Sequence, residues 1–300
     1  MRFLAGYIMR GPMQAVLVAA VCAVLSLVLP PFSYLAGAAV ALVTLRLGAW
    51  HGARVALVAA LAVTALALLL VQSAVPGPAY LVALWLPIWF LALELRRSVS
   101  LSRVLLMAGG FGALFVLALY GVLDEPAAFW RKVFENVFRE AGAPAIEAMD
   151  EVYAVMTGAL AAGFTLSLVG SLLIARWWQA QLYHAGGFQR EFHALRFSPM
   201  LGLVTLAVAS LTFFGSEKLA AFASDVIIVL IVLLLLHGIA VVHGLVRLKG
   251  AHSLWLVLMY ALLLVMLPQT AITLSTVGLA DAWFDFRAFF GAKREEGNNG

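Results

Sequence analysis

The residues able to do chemistry in this chain are few and scattered. Six histidines occur, His51, His184, His193, His237, His243 and His252, with a single cysteine, Cys22. No H-E-x-x-H, C-x-x-C, G-x-S-x-G or G-x-x-x-x-G-K-[ST] pattern is present. His237 and His243 stand six apart, on different faces of a helix. The charge pattern gives the inner-face histidines only Glu94 and Glu191 as co-ligands. The expectation is no metal, no cofactor and no catalytic residue. Cys22 alone excludes an intrachain disulfide and reads as a small core residue. Two features remain. Asp281 and Asp285 are i,i+4 and share a helix face, with Trp283, Phe286 and Phe290 on another. Paired carboxylates can do acid–base work, but the commoner role is to face water or basic residues. His237 falls about halfway along an apolar segment. It is read as a proton-relay group or a neutral, hydrogen-bonded packing histidine, the second being commoner.

The elements that must carry these residues follow from composition. The 300 residues are 64% hydrophobic and 11% charged, with mean hydropathy +1.03. Soluble chains are about 45–50% apolar and about 25% charged. The chain is therefore expected to be an all-α, polytopic transmembrane helical bundle with about eight to nine spanning helices and an interfacial amphipathic helix. Nine apolar segments are predicted, near 13–29, 34–47, 55–71, 80–95, 104–122, 153–175, 200–214, 226–246 and 253–277. The second and seventh are short for a crossing and call for tilt, local thinning or shielding by neighbours. Pro268 either kinks the ninth or turns it back, leaving eight crossings. The first segment reads as a retained anchor rather than a cleaved leader, despite Ala36-Gly37-Ala38.

Charge sets the orientation. With the N-terminus inside, twelve basic residues fall on the inner side against Glu94 and Glu191, and four on the outer side against nine acids. That bias places the N-terminus in the cytoplasm of a bacterial inner membrane. The net charge of +4 then reflects topology, and no nucleic-acid partner is expected. The scarcity of ionisable residues at membrane depth argues against a proton- or sodium-coupled transporter.

Three surfaces are candidates for binding. Ala15, Ala19 and Ala23 repeat at helical spacing, and Gly48 and Gly52 form a GxxxG. These suit packing within the chain or docking of a membrane-protein subunit. Over Pro126–Ala141, Trp130, Val133, Phe134, Val137, Phe138 and Ala141 share one face and charges the other. Such a helix lies along the interface or covers an outward-facing cavity. The inner loop after the sixth segment is rich in aromatic and basic residues, among them Gly187, Phe188, Arg190, Phe192, Arg196 and Pro199.

Gly187-Phe188 through Arg196 and Pro199, with Gly278 through Arg287 and hence Asp281, Trp283, Asp285 and Arg287, resemble the YybS-like family of bacterial membrane proteins of unknown function. The start of the chain, with its alanine face, Pro30-Pro31 and Leu47 to Gly52, is similar to the substrate-binding S components of energy-coupling-factor transporters. That resemblance implies an S-component-like six-helix part over 13–175 and three further helices with an amphipathic tail over 176–300. It also implies Ala15, Ala19 and Ala23 as the face that meets a coupling subunit. The expected function is a membrane component of small-molecule or lipid-linked transport without its own energy source. The alternative is a non-transporting scaffold or assembly factor that holds partners through the aromatic-basic inner loop and the tail; an enzyme is not expected.

Overall fold

Within a bilayer every backbone N–H and C=O must be satisfied inside its own segment, so apolar runs become helices. The computed structural model of the chain describes residues 2–140 and 149–291, and every element among them is helical. Ala141 of the amphipathic face and Lys293 and Arg294 of the tail lie outside the described residues. In order the helices are α1 (Arg2–Ile8), α2 (Pro12–Leu25), α3 (Phe32–Leu47), α4 (Ala49–Val71), α5 (Pro76–Ser98), α6 (Leu101–Val122) and α7 (Pro126–Glu140). Then come α8 (Asp150–Tyr183), α9 (Gly187–His193), α10 (Pro199–Phe214), α11 (Glu217–Lys249), α12 (Leu254–Val265) and α13 (Leu267–Phe284). Five of them, α4, α5, α6, α8 and α11, are long and apolar enough to cross a membrane. Leu69, Val122, Phe213, Phe214 and Leu264 are each more than 80% exposed, a surface that lipid accommodates and water does not. The chain is a helical membrane protein.

The chain divides into two compact units, residues 1–108 with 166–192, and residues 109–165 with 193–300. The six-helix part expected over 13–175 contributes residues to both.

In the first unit α3 is the centre. Residues 36–45 are buried on every face because α2, α4 and α5 surround them. This is how a 16-residue helix, short for a crossing, is shielded. Ala15, Ala19 and Ala23 are buried where α2 packs on α3 and α4, so the chain's own helices occupy that face. Gly48, at φ +98°, separates α3 from α4. A Cβ at Gly52 would overlap the Thr44 hydroxyl, so the GxxxG serves the close approach of α4 to α3. In α5 the turn Leu81–Trp85 is π-helical, with Leu86 N–H reaching Leu81 O. Pro87 follows; its ring crowds the carbonyl four residues back and its missing N–H frees that oxygen, a standard cause of such a bulge.

In the second unit α11 is the spine. Its 33 residues rise about 50 Å. It packs against α10, α12 and α13. α13 runs in the same direction as α11. Ser275 donates to Ile231 O, His237 meets Asp281, Gly244 lies against Arg287, and Lys249 sits over Phe290. The ninth predicted segment is therefore two helices, broken at Met266 (φ −125°, ψ 54°) just before Pro268, with α12 carrying the chain back. The short α10, by contrast, buries only Leu201, Gly202 and Thr205.

Candidate functional site

Two constellations in the second unit bring chemistry-bearing residues together. The first is built where α13 crosses α11. A Cβ at Gly238 would overlap the carbonyl oxygen of Leu274, and one at Gly278 that of Leu234. The reciprocal glycines let the two backbones touch, and one turn further on this delivers Asp281 to His237. Both side chains are fully buried. His237 Nε2 lies 3.0 Å from Asp281 Oδ2. A carboxylate oxygen only accepts, so Nε2 carries the proton. Among the described residues Nδ1 has no partner, and the ring stands edge-on to Phe197 at 5.4 Å.

Arg287 supplies the charge that balances Asp281. Its Nη2 donates to Asp281 Oδ2 at 2.8 Å, and its Nη1 donates to the carbonyls of His193 and Leu195, each at 2.8 Å. The amide of Phe286 donates to Asp281 Oδ1 at 2.9 Å. These three donors serve an ionised carboxylate, which burial without partners would not permit. Arg196 completes the cluster. Its Nη1 donates to Asp285 Oδ2 at 2.7 Å, and its Nε and Nη2 reach the carbonyls of Asp281 and Ala282. It thus caps the last turn of α13, where a cation complements the helix dipole. Asp285 itself is left-handed (φ 43°) and ends the helix.

Both carboxylates meet basic residues, as one of the two sequence expectations had it, but they do not share a helix face. The helix stops between them; Asp281 turns inward to His237 and Arg287, and Asp285 outward to Arg196. Trp283 lies over Gly202 of α10, where a Cβ would collide with its ring. His237 proves to be a hydrogen-bonded buried histidine.

The second constellation lies near the start of α11. Asp225 is 1% exposed. Its Oδ2 accepts the Tyr120 hydroxyl of α6 at 2.7 Å, and its Oδ1 accepts the Gly158 amide of α8 at 2.8 Å. A Cβ at Gly158 would stand 2.8 Å from that oxygen, so glycine makes the approach possible. Tyr120, held by Asp225 and edge-on to Phe222 at 5.3 Å, lines an open cleft of about 540 Å³. Asp124, Glu125 and Glu217 line it too, with Lys218 as the one cation among the described residues, and Pro126 and small alanines form an apolar wall.

The amphipathic helix α7 borders this cleft with its first residues. Its apolar face rests on α8: Trp130 Nε1 donates to Thr157 Oγ1 at 2.9 Å, and the Phe134 ring lies 5.8 Å from Tyr153, with Phe138 beyond. In the first unit, Phe188 stacks on Phe192 at 5.9 Å, Arg176 pairs with Glu191, and Arg190 and Gly187 border a small hollow of about 300 Å³. Pro199 is the first residue of α10, where its missing N–H costs nothing.

Sequence reasoning missed Asp225, Tyr120 and Gly158. It placed Asp225 in an outer loop, yet Leu219 to Ala223 before it continue the apolar helix, and that continuity was the available signal. It also left His237 and Asp281 unpaired; the small residues Gly238 and Gly278 beside them mark the crossing. Among the described residues no group of three His, Cys, Asp or Glu side chains is arranged to hold a metal. Comparison with protein-family models, with curated proteins and with solved structures yields no significant match, so function is argued from this geometry.

Proposed function

We propose that the protein is a membrane component of small-molecule transport that holds its ligand in the cleft beside α7 and is energised by a separate chain. The cleft carries this reading. Its volume of about 540 Å³ falls in the range of ligand sites, roughly 300–1,000 Å³. It borders the amphipathic helix, for which covering an outward-facing cavity is one of the two roles the sequence offers. Three carboxylates against one ammonium favour a cationic ligand, and the pinned Tyr120 ring offers it an aromatic wall.

The topology that goes with this reading has the N-terminus in the cytoplasm of a bacterial inner membrane, by the positive-inside rule. The parallel course of α11 and α13 supports the version in which the final segment turns back, leaving eight crossings and the 281–291 stretch on the cytoplasmic side. A reporter fused after Gly300 reads this directly; activity on the periplasmic side overturns it.

The energising subunit is taken from the likeness of the N-terminal part to S components; because α3 and α4 cover Ala15, Ala19 and Ala23, it would dock elsewhere on the chain. The scaffold alternative draws less from the geometry, because Arg176 and Arg196 are engaged with Glu191 and Asp285 rather than offered to a partner. Purification from native membranes in mild detergent tests the transport reading. The expected result is a co-isolated coupling or ATP-hydrolysing subunit and a bound small cation that is lost on Glu125→Gln with Glu217→Gln. Absence of both the subunit and the ligand overturns it.

A further inference from the structure

The first unit has a different character, and its outer seam carries a second site. α2 and α4 run side by side in the same direction, and the seam between them is hollow at both ends. Near their starts lies a cavity of about 370 Å³ walled by Ala15, Val43, Leu47 and Val55, with His51 and Arg54 at its rim. Further along lies a second hollow of about 230 Å³ between Val21 and Leu25 of α2 and Ala62 and Leu66 of α4. Val55, Ala62 and Leu66 are spaced by seven and four residues, so they form one stripe along α4. From Arg54 to Leu66 the helix rises about 18 Å. One leaflet of the hydrocarbon core is about 15 Å deep, half of the usual ~30 Å. The seam is apolar throughout and charged at one end only, which is the profile of a single phospholipid lying in one leaflet.

Among the described residues the rim has cations and no anion. Arg54 stacks over the Trp50 ring at 4.7 Å, and Arg10, between the lining residues Met9 and Gly11, stacks over Tyr7 at 5.9 Å. The unit carries nine basic residues and two carboxylates. Both carboxylates are engaged elsewhere, Glu94 with Arg103 and Glu191 with Arg176. Among the described residues neither Arg10 nor Arg54 has a carboxylate partner, so the rim suits a phosphate, which guanidinium groups bind through paired N–H donors.

We infer that the α2–α4 seam is a binding site for an anionic phospholipid, an acyl chain filling the seam and the headgroup phosphate held by Arg54 and Arg10. The inference needs only that the chain sits in a bilayer; it stands apart from the transport reading of the second unit. The headgroup is recognised by charge and the tail by the shape of the seam, so the two contributions separate.

The test uses the full chain in mild detergent, titrated with phosphatidylglycerol and with phosphatidylcholine of the same acyl chains and read by native mass spectrometry. Phosphatidylglycerol is expected to bind more tightly by about fivefold for each engaged arginine. Arg54→Gln and Arg10→Gln each reduce that preference, weakening phosphatidylglycerol more than phosphatidylcholine, whose phosphate is balanced by its own choline cation. Ala62→Trp, or Ala20→Leu if the first variant fails to fold, fills the outer hollow and weakens both lipids alike. Equal binding of the two lipids by the unaltered chain overturns the inference, as does binding indifferent to the seam-filling variants. Displacement of phosphatidylglycerol by glycerol phosphate at the same concentration also overturns it, since the seam would then be idle.

Discussion

The two units handle charge in opposite ways. The first carries nine basic residues and two acids, the second ten basic residues and thirteen acids. In the first, the charges stay at the periphery: arginines stack on Tyr7, Trp50 and Tyr183, and the fully buried Thr44 returns its hydroxyl to Val40 of its own helix. In the second, Asp225, His237 and Asp281 are buried outright. Each is met by a partner on a different helix, and each pairing depends on a glycine that lets backbones close. The difference teaches where specificity has been built. Apolar packing dominates the first unit, with its ion pairs partly exposed, while the second accepts the cost of buried charge and so has groups placed to bind or respond.

The comparison breaks most easily at Asp281. Asp281→Asn leaves Arg287 facing a neutral amide in a buried setting, and removing one member of a buried pair costs about 3–5 kcal/mol. The matching change in the first unit is Glu94→Gln. Its partner Arg103 is 66% exposed, and such a pair is worth about 1 kcal/mol or less. Heat- or SDS-induced unfolding in detergent measures both. Equal losses would mean that the buried cluster carries no more than a surface ion pair.

Glycine substitutions sharpen the same contrast at smaller amplitude. Gly238→Ala drives a methyl into the Leu274 carbonyl, which is backbone and cannot swing aside. Overpacking of this kind costs about 1–3 kcal/mol. Gly110, inside α6, has open space where a Cβ would go. Gly110→Ala is expected to raise stability by up to about 1 kcal/mol through helix propensity alone. If Gly238→Ala also stabilises, the helices do not touch where the crossing puts them.

Much of the first unit was legible in the sequence, and the reason is physical. Lipid-facing helices are specified by hydropathy, which is local, and their ends by Pro30, Pro31, Gly48 and the Pro76–Pro78 run. The second unit was less legible because its defining contacts join residues 44 to 105 positions apart, as in His237–Asp281 and Tyr120–Asp225. No periodicity announces such a pair. Asp281 and Asp285 were seen as neighbours on one helix, since nothing in Trp283-Phe284-Asp285 marks a left-handed break; the residue there is neither glycine nor asparagine. The reversal at Met266 was visible only as a proline with two outcomes, and the partner helix α11 decides between them.

The last contrast is in pH response. His193, at the end of α9, shares a partly buried corner with His243 at 5.9 Å, near Arg247 and Arg287. Burial first, and then the charges of His243, Arg247 and Arg287, lower its proton affinity below the ordinary value of 6.5. Above 6.5 the ring is neutral in the folded and unfolded chain alike, and the fold keeps its full stability. As pH falls below that value the unfolded chain takes up the proton first, so stability declines until the lowered folded value is passed. Arg287 donates to the His193 carbonyl while holding Asp281, so charge on the ring repels the group that ties the cluster together. Melting in detergent is therefore expected to drop between pH 7 and pH 5, and His193→Gln to flatten that drop by removing the titrating group. A profile unchanged by His193→Gln would place the acid sensitivity elsewhere and leave the Asp281 cluster a purely structural clasp.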